Sequence, residues 1–228
     1  MNDSGYGLLK GKKGMIFGAL DERSIAWRIA LACKREGADF ILSNAPIALR
    51  LGTLNALSEE TNAPVIPCDV SKEDEVDELM KKTKEELGGV DFILHAIGMS
   101  PNIRKKKEYG DLNYNWYNQT LDISAISLHK VLNYADKNGI LNNGASVVAL
   151  SYIGAQRIFS KYSDMNDAKA LLESIARNYG SRLAKRGIRV NTVSQAPTKT
   201  SAGTGIKGFD GMYTFAEKLA PLGNPTAD

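Results

Sequence analysis

Residues 12–37 read KKGMIFGALDERSIAWRIALACKREG, an apolar run followed by a turn and an amphipathic helix. Residues 14–18 predict a short buried strand. The helix is predicted to open at Ser24, and its apolar residues then recur at helical spacing. Gly37 is a suitable end for the helix, because glycine tolerates the left-handed backbone that closes helices. A strand, a turn and a helix in this order predict the first unit of an α/β fold.

The same alternation continues along the chain. Further strands are predicted at residues 39–43, 64–68, 91–95, 145–150 and 188–193, and helices at about 71–87, 114–137 and 165–184. Ser71 is the predicted N-cap of the first of these helices. The strands are nearly continuous apolar runs, as expected where helices cover both faces of a sheet. The pattern predicts a Rossmann-like, doubly wound parallel sheet in three α/β/α layers, with residues 1–228 as a single domain.

Composition and charge exclude several function classes. The chain has 228 residues, 43% hydrophobic and 24% charged, as in an ordinary globular domain. Its 29 basic and 26 acidic residues give a net charge of +3, too small an excess to predict nucleic-acid binding. Two cysteines and two histidines at wide spacing do not predict a metal site. Without a span of roughly 20 apolar residues or a secretory signal, we expect a cytoplasmic protein with no membrane partner.

The loops after the strands are the candidate ligand sites, because this kind of sheet binds ligands at the carboxyl ends of its strands. Gly18 permits close backbone approach to a ligand, and Ser24 lies where a helix N-terminus offers N–H groups to a pyrophosphate. The loop lacks the G-x-G-x-x-G pattern, so a plain turn explains it equally well. Asp69 and Val70 suit an adenine ring, or else a helix cap and a core position. Residues 95–98, HAIG, suit close approach to a ribose.

A tyrosine and a lysine with six residues between them follow the fifth predicted strand. Tyr162 and Lys169 flank the start of the next helix. A lysine ammonium beside a phenol favours phenolate character, and the phenol can donate a proton. The pair therefore predicts proton-transfer chemistry. The single histidine of the neighbouring loop, His95, is interpreted as structural.

These stretches together resemble the short-chain dehydrogenase superfamily and, within it, the bacterial enoyl-acyl carrier protein reductases. The motifs that carry the resemblance are Gly18-x5-Ser24-Ile25-Ala26, Cys68-Asp69-Val70, His95-Ala96-Ile97-Gly98, Leu121-Asp122-Ile123-Ser124, Ser151-Tyr152, Tyr162-x6-Lys169, Gly187-Ile188-Arg189-Val190-Asn191 and Pro197-Thr198-Lys199-Thr200. Carbonyl-reducing members place the tyrosine four residues before the lysine, where this chain has Met165, and the enoyl reductases share the displaced tyrosine. Residues 44–46, 98–101, 194–197 and 208–211 resemble a branch found in Bacteroidetes-type bacteria.

The resemblance implies an NADH-dependent enzyme that reduces the trans-2 double bond of enoyl thioesters on acyl carrier protein, the last step of the type II fatty acid elongation cycle. It implies that Tyr162 donates to the enolate oxygen, that Lys169 binds the nicotinamide ribose and that Tyr152 lines the acyl pocket. The implied cofactor contacts are Gly18, Ser24, Ile25, Asp69, Val70, Ile97, Gly98, Lys169, Thr198 and Thr200. It also implies a homotetramer.

The choice between NADH and NADPH rests on the loop after the second strand. An acidic residue there would mark NAD by binding the ribose hydroxyls, but this chain has Asn44 and Ala45. Arg50 is the nearest cation that could reach a 2′-phosphate. NADH is favoured because no basic residue stands immediately beside Asn44, and NADPH is the alternative.

Two further stretches have a functional and a plain interpretation. Residues 200–211 contain four glycines, which predict a flexible substrate lid or a solvated loop. Residues 104–107, RKKK, are a solvated charged face or a patch that steers an acidic carrier protein, with Lys199 and Lys207 as further candidates.

Two other functions compete with the enoyl reductase. A carbonyl-reducing short-chain dehydrogenase is disfavoured by Met165. A non-enzymatic nucleotide-binding protein is disfavoured by the intact Tyr162 and Lys169. Members of the resembling family continue for some tens of residues beyond Asp228, so the resemblance implies that a last helix and strand are missing here.

Overall fold

The protein is a parallel five-stranded sheet between two layers of helices. The computed structural model describes residues 5–50, 53–204, 206 and 208–224. The strands are β1 (Lys13–Phe17), β2 (Asp39–Ser43), β3 (Val90–His95), β4 (Leu141–Ser151) and β5 (Arg189–Ser194). They lie in the order β2-β1-β3-β4-β5, and each neighbouring pair is parallel. The order reverses between β1 and β3, and at such a reversal a doubly wound sheet has a ligand-binding crevice outside the carboxyl ends of its strands.

Helices of several lengths connect the strands, and two more follow β5. They are α1 (Ile25–Arg35), α2 (Pro46–Leu49), α3 (Thr53–Thr61), α4 (Glu73–Leu87), α5 (Pro101–Arg104), α6 (Tyr114–Leu121), α7 (Ser127–Lys137), α8 (Met165–Leu183), α9 (Ser201–Thr204) and α10 (Phe209–Leu219). No helix in these described ranges is long and apolar enough to cross a membrane.

Two hydrophobic cores cover the two faces of the sheet, which confirms the predicted three-layer fold. Because strand side chains alternate, Met15 and Phe17 of β1 enter one core with α4, α7 and α8, while Ile16 enters the other with α1 and α3. The prediction that every strand is covered on both faces is wrong for the edge strand β5, where Val193 is 48% exposed.

The predicted strand at residues 64–68 lies beside β2 but pairs with it only in part. Its one β-bridge joins Leu42 to Val65. The Ile66 N–H donates to the Leu42 carbonyl at 2.9 Å, and the Leu42 N–H donates to the Pro64 carbonyl at 3.0 Å. The Cys68 N–H donates in the same way to the Asn44 carbonyl at 2.9 Å, whereas Pro64 has no N–H with which to extend the pairing towards the start of β2.

Two helix boundaries also differ from prediction. α4 begins after Lys72 rather than Ser71, because the Ser71 hydroxyl and N–H both donate to Oδ1 of Asp69, at 2.7 and 3.0 Å. The helix predicted over 114–137 contains a π-helical segment, Asp122–Ile126, between α6 and α7. Such insertions in helices frequently mark functional sites.

Candidate functional site

The loops after β1 and β3 meet at a glycine. Gly18 has φ +93°, and a β-carbon added there would lie 2.2 Å from the Ala96 carbonyl oxygen. No residue with a side chain fits this conformation at this distance without distortion. Gly18 thus brings the two loops together, and the atoms that require a glycine here belong to the loop after β3.

The N-terminus of α1 faces the same crevice and suits an anion. Its first turn carries no acidic residue, so the positive end of the helix dipole is not neutralised locally. The hydroxyl of Ser24 is held within the loop, since it accepts from the Leu20 N–H at 3.1 Å and donates to the Asp21 carbonyl at 2.6 Å. Ser24 therefore shapes the loop, and Ile25 begins the helix whose N–H groups can bind a pyrophosphate.

The two residues predicted at an adenine ring differ in their surroundings. Oδ1 of Asp69 is occupied by Ser71, while its Oδ2 has no hydrogen-bond partner among the described residues. Val70 is 7% exposed and belongs to the main core. Asp69 can accept a ligand hydrogen bond, whereas Val70 offers a nearly buried apolar surface.

The loop after β3 is fastened to the π-helical segment. The Met99 N–H donates to the Ser124 hydroxyl at 2.9 Å, and that hydroxyl donates back to the Met99 carbonyl at 3.0 Å. Ile97 packs against the core, and Gly98 is exposed. A β-carbon at Gly98 would stand 3.9 Å from the Nζ of Lys169, which is van der Waals contact, so this glycine lies directly beside the lysine.

Two tyrosines face each other after β4. The rings of Tyr152 and Tyr162 have centroids 4.7 Å apart, and Tyr152 also meets Phe159 edge to face. The Tyr152 hydroxyl is buried and has no hydrogen-bond partner within the described ranges. A β-carbon at Gly154 would lie 3.0 Å from the Tyr162 ring and 2.3 Å from Oδ1 of Asn166, so only glycine leaves room for this pair.

Burial keeps both phenols protonated. It raises the pKa of Tyr152 to about 12 and raises the pKa of Tyr162 further above its usual value, with Tyr152 adding to the effect. The phenolate character expected from Lys169 is therefore not favoured, because desolvation and Tyr152 both raise the pKa of the Tyr162 phenol. Tyr162 is a hydrogen-bond and proton donor at neutral pH.

Lys169 is a buried cation at the carboxyl end of β4. It is 6% exposed, and its Nζ donates to the Leu150 carbonyl at 2.6 Å. Burial lowers the pKa of Lys169 to about 8. The side chain is therefore mostly protonated at neutral pH, but it loses its proton more readily than an exposed lysine does. It has two further N–H groups with which to donate to hydroxyls such as those of a ribose.

His95 is structural in the manner predicted from the sequence. It is fully buried, and its Nε2 lies 2.8 Å from the Ser127 hydroxyl, which itself donates to the Ile123 carbonyl at 2.6 Å. Burial, with the charge of Lys169 adding, lowers the pKa of His95 to about 3. The imidazole is therefore neutral and fixes α7 against the end of β3.

The segment after β5 returns to the crevice. Thr198 is 7% exposed and donates to the Ala196 carbonyl at 3.1 Å, while the Thr200 hydroxyl accepts from the Gly203 N–H at 3.0 Å. Ser201 donates to the Asp21 carboxylate, which ties this segment to the loop after β1. Part of the predicted lid is thus the short helix α9. Gly205 and Lys207 lie outside the described residues.

A buried polar cluster beside the tyrosines was not predicted. Ser100 caps α5 by accepting from the Ile103 N–H at 3.0 Å, and it donates to Asp164, which also binds Asn102 and Thr120. The serine and proline at positions 100 and 101 are a readable helix start, since proline favours the first helical position. Nothing local in the sequence indicates the partners of Asp164.

Comparisons with known proteins agree with this geometry. A family model described as Enoyl-(Acyl carrier protein) reductase matches residues 18–227. The enoyl-(acyl-carrier-protein) reductase (NADH) 1 of Rhizobium meliloti is 36% identical over 217 residues, which cover 95% of this chain and 79% of that protein. A similarly named protein of Aquifex aeolicus is 35% identical over 219 residues, covering 96% and 81%.

Solved structures with the same fold include one from Alistipes finegoldii and one from Aquifex aeolicus. The FabI–NADH complex of Alistipes finegoldii has a TM-score of 0.96 and 51% identity, and the match covers 97% of this chain and 79% of that one. The Aquifex aeolicus enzyme has a TM-score of 0.88 and 32% identity, with 96% and 85% covered. The likeness therefore extends over nearly the whole chain and most of each relative.

Proposed function

The chain belongs to the enoyl-(acyl carrier protein) reductase family, and we propose that Tyr162, Tyr152 and Lys169 carry its reaction. It is an oxidoreductase that reduces the trans-2 double bond of enoyl thioesters on acyl carrier protein with NADH. The observation that carries the assignment of residues is the packing of the Tyr152 ring on the partly buried Tyr162 ring after β4, together with the buried Lys169, which donates to the Leu150 carbonyl at the carboxyl end of that strand.

Tyr162 acts as the donor to the substrate oxygen. NADH, when bound, supplies a hydride to the β-carbon of the enoyl group, and negative charge then develops on the thioester oxygen. A protonated phenol aimed at that oxygen stabilises the charge, and loss of one such donor typically costs about 3 kcal/mol in the transition state. The raised pKa of Tyr162 keeps its proton in place for this role.

Tyr152 shapes the acyl pocket rather than transferring a proton. Its ring holds Tyr162 at a tilt of 58°, and its buried hydroxyl has no hydrogen-bond partner among the described residues. A buried hydroxyl without a partner is unfavourable, so a substrate group that binds it would gain affinity. We expect loss of Tyr152 to change the KM for the thioester more than kcat.

Met165 separates this chain from the carbonyl-reducing enzymes. It occupies the position at which those enzymes carry their tyrosine, and here it is 6% exposed in a small apolar cluster with Ile103 and Ala168. A thioether has no proton to donate. Support for enoyl rather than carbonyl reduction therefore comes from the residue types at positions 162 and 165 together.

The crevice fits a nicotinamide dinucleotide. Gly18 lets the loops after β1 and β3 approach each other, Gly98 leaves room beside Lys169, the N-terminus of α1 suits the pyrophosphate, and Lys169 has N–H groups for ribose hydroxyls. Asn44 and Ala45, which follow β2 directly, are both uncharged. The Asn44 side chain donates to the Ala19 carbonyl at 2.8 Å. The remaining proposed cofactor contacts are Ile25, Asp69, Val70, Ile97, Thr198 and Thr200.

Carrier protein is the proposed partner of the basic run at the end of α5. Arg104, Lys105 and Lys106 are exposed, whereas Lys107 pairs with Asp111 at 2.7 Å. The run adjoins the site because Ile103 packs against the cluster that contains Tyr162. Opposite charges steer association, and salt weakens that steering.

The steering proposal is tested with salt. We expect kcat/KM for a carrier-linked substrate to fall with salt in the wild type and much less in a variant with Lys105→Glu and Lys106→Glu. A short uncharged thioester and a Lys185→Glu variant, whose exposed lysine lies just beyond the far end of α8, serve as controls. Equal salt dependence for both substrates would refute the steering role.

The domain organisation, the assembly and the cellular location complete the proposal. The chain forms one domain, in which residues 200–211 act as a substrate lid, and four chains assemble as in the family that it resembles. Light scattering should then give four times the 24.8 kDa of the chain, and a monomer would contradict the assembly. A cytoplasmic location agrees with two buried free thiols, which a reducing compartment preserves.

The experiment that tests the function is oxidation of NADH in the presence of crotonyl thioester. We expect the wild type to oxidise NADH, the Tyr162→Phe variant to lose at least tenfold in kcat, and the Lys169→Met variant to lose NADH binding. NADPH is run beside NADH as the competing cofactor. Oxidation that survives unchanged in Tyr162→Phe would refute the assigned role of the phenol.

A further inference from the structure

Asp164 is a fully buried carboxylate two residues after Tyr162. Its Oδ1 accepts from the Ser100 hydroxyl at 2.7 Å, and its Oδ2 accepts from Asn102 Nδ2 at 2.9 Å. Oδ2 also lies 2.9 Å from the Thr120 hydroxyl, whose one proton it shares with the Trp116 carbonyl at 2.8 Å. All three donors are uncharged. A buried carboxylate is strongly destabilising unless its oxygens accept hydrogen bonds, so these donors form a site built for this carboxylate.

Asp164 does not serve its own helix. It stands at the N-cap position of α8, where an aspartate usually accepts from the first N–H groups of the helix, yet its side chain makes no such bond. The carboxylate is directed instead to α5 and to the end of α6. Helix capping therefore does not explain the residue, and its contacts join three separate elements.

The residue between Tyr162 and Asp164 has a strained backbone. Ser163 adopts φ +46° and ψ −133°, a conformation that residues with a β-carbon rarely take. Strain of this kind persists only where the surroundings enforce it. The Ser163 hydroxyl is buried and has no hydrogen-bond partner within the described ranges, so its side chain does not hold the turn.

The Ser163 carbonyl accepts from the Asn166 N–H at 3.2 Å, which holds the turn to the start of α8, and the two neighbours of Ser163 hold it to the rest of the protein. Asp164 is fixed by its three hydrogen bonds, and Tyr162 is in contact with the ring of Tyr152. Because the backbone between them is short and strained, the direction of the phenol depends on where Asp164 is anchored.

We propose that Asp164 is a positioning residue for Tyr162, clamping the strained turn at Ser163 to α5 and α6 so that the phenol keeps one orientation. The proposal rests on the role given to Tyr162 in the reaction. Asp164 acts only through the backbone and does not touch the substrate. A misdirected phenol lowers the rate of proton donation without changing how NADH binds.

The test compares Asp164→Asn with a matched control, Asp167→Asn. Asp167 lies in the first turn of α8 and also accepts two hydrogen bonds, from the hydroxyls of Tyr109 and Tyr117 at 3.1 Å each, but it does not border Ser163. For Asp164→Asn we expect kcat to fall at least tenfold, with the KM for NADH within twofold of wild type. The solvent deuterium isotope effect on kcat should rise, because proton donation becomes more limiting. Asp167→Asn should keep kcat within threefold and the isotope effect unchanged.

A second variant keeps the proposal testable if Asp164→Asn does not fold. Ser163→Gly relieves the strain, so it should unfold at the same temperature as wild type or higher, while its looser turn lowers kcat and raises the isotope effect. Wild-type kcat and isotope effect in either folded variant would overturn the proposal, as would an Asp164→Asn defect equal to that of Asp167→Asn. A wild type that oxidises no NADH would refute the proposed function instead, and the inference that rests on it.

Discussion

Replacement of Lys169 by methionine should stabilise the protein and abolish cofactor binding. The ammonium is 6% exposed, and its pKa falls from 10.5 to about 8 because of burial. At about 1.4 kcal/mol per pKa unit, the charged form destabilises the fold by about 3 kcal/mol at pH 7. Methionine removes this penalty and loses one hydrogen bond to the Leu150 carbonyl, worth about 1 kcal/mol. The net expectation is a gain of about 2 kcal/mol in the free energy of unfolding.

The pH dependence of stability distinguishes the removal of a buried charge in Lys169→Met from a simple improvement in packing. The folded pKa lies below the unfolded value, so between about pH 8 and 10.5 the unfolded chain binds a proton that the folded chain does not. Stability of the wild type attributable to Lys169 therefore rises with pH through that window. The advantage of Lys169→Met should shrink by about 2 kcal/mol between pH 7 and pH 10.

Urea unfolding of the apoprotein at pH 7 and pH 10 measures both quantities. Lys185→Met is the control, because this lysine is exposed and its removal relieves no burial. Fluorescence titration with NADH on the same samples should show at least a tenfold loss of affinity in Lys169→Met only. A Lys169→Met protein that is less stable than wild type at pH 7, or whose stability difference is the same at both pH values, would refute the reasoning.

Four further predictions use glycines and the buried histidine. Gly98→Ala should leave apoprotein stability within about 0.5 kcal/mol, since the added carbon finds no atom nearer than 3.9 Å, yet weaken NADH at least tenfold in a binding titration. Gly18→Ala should instead lower the free energy of unfolding by more than about 2 kcal/mol, because of its φ of +93° and a contact at 2.2 Å. Gly154→Ala should reduce kcat at least tenfold with NADH affinity retained, because the added carbon displaces the Tyr162 ring; unchanged kcat would contradict the packing described. Below pH 6.5 the unfolded chain binds a proton at His95 that the folded chain, where the pKa of His95 is about 3, does not. The free energy of unfolding should therefore decrease as the pH is lowered, and more steeply in wild type than in His95→Gln.

Local periodicity in the sequence accounts for most of the fold. The β1–α1 unit follows from an apolar run and a helical spacing, and both are properties of adjacent residues. Where prediction failed, a neighbour in space decided the outcome. Pro64 removes a donor that would extend the pairing beside β2, and the carboxylate of Asp69 draws Ser71 away from capping α4.

The residues of the candidate site could be predicted from the sequence only in part, because some of them depend on neighbours that are distant in sequence. Tyr162 and Lys169 are close in sequence, so their spacing is readable and matches a family pattern. The partners of Asp164 lie 64, 62 and 44 residues away, and no local pattern marks them. A π-helical insertion such as that at Ser124 is similarly invisible, because a change of one residue in phase disappears within ordinary variation of helical periodicity.

The central claim, that a hydride reaches the β-carbon of an enoyl thioester, is tested most directly by isotope transfer. Wild-type protein is incubated with crotonyl thioester and NADH deuterated at both C4 positions, and the product is examined by mass spectrometry. We predict a saturated butyryl thioester that carries one deuterium at C3 for each NADH oxidised. Untouched crotonyl thioester, together with reduction of the ketone of acetoacetyl thioester to an alcohol, would contradict the claim.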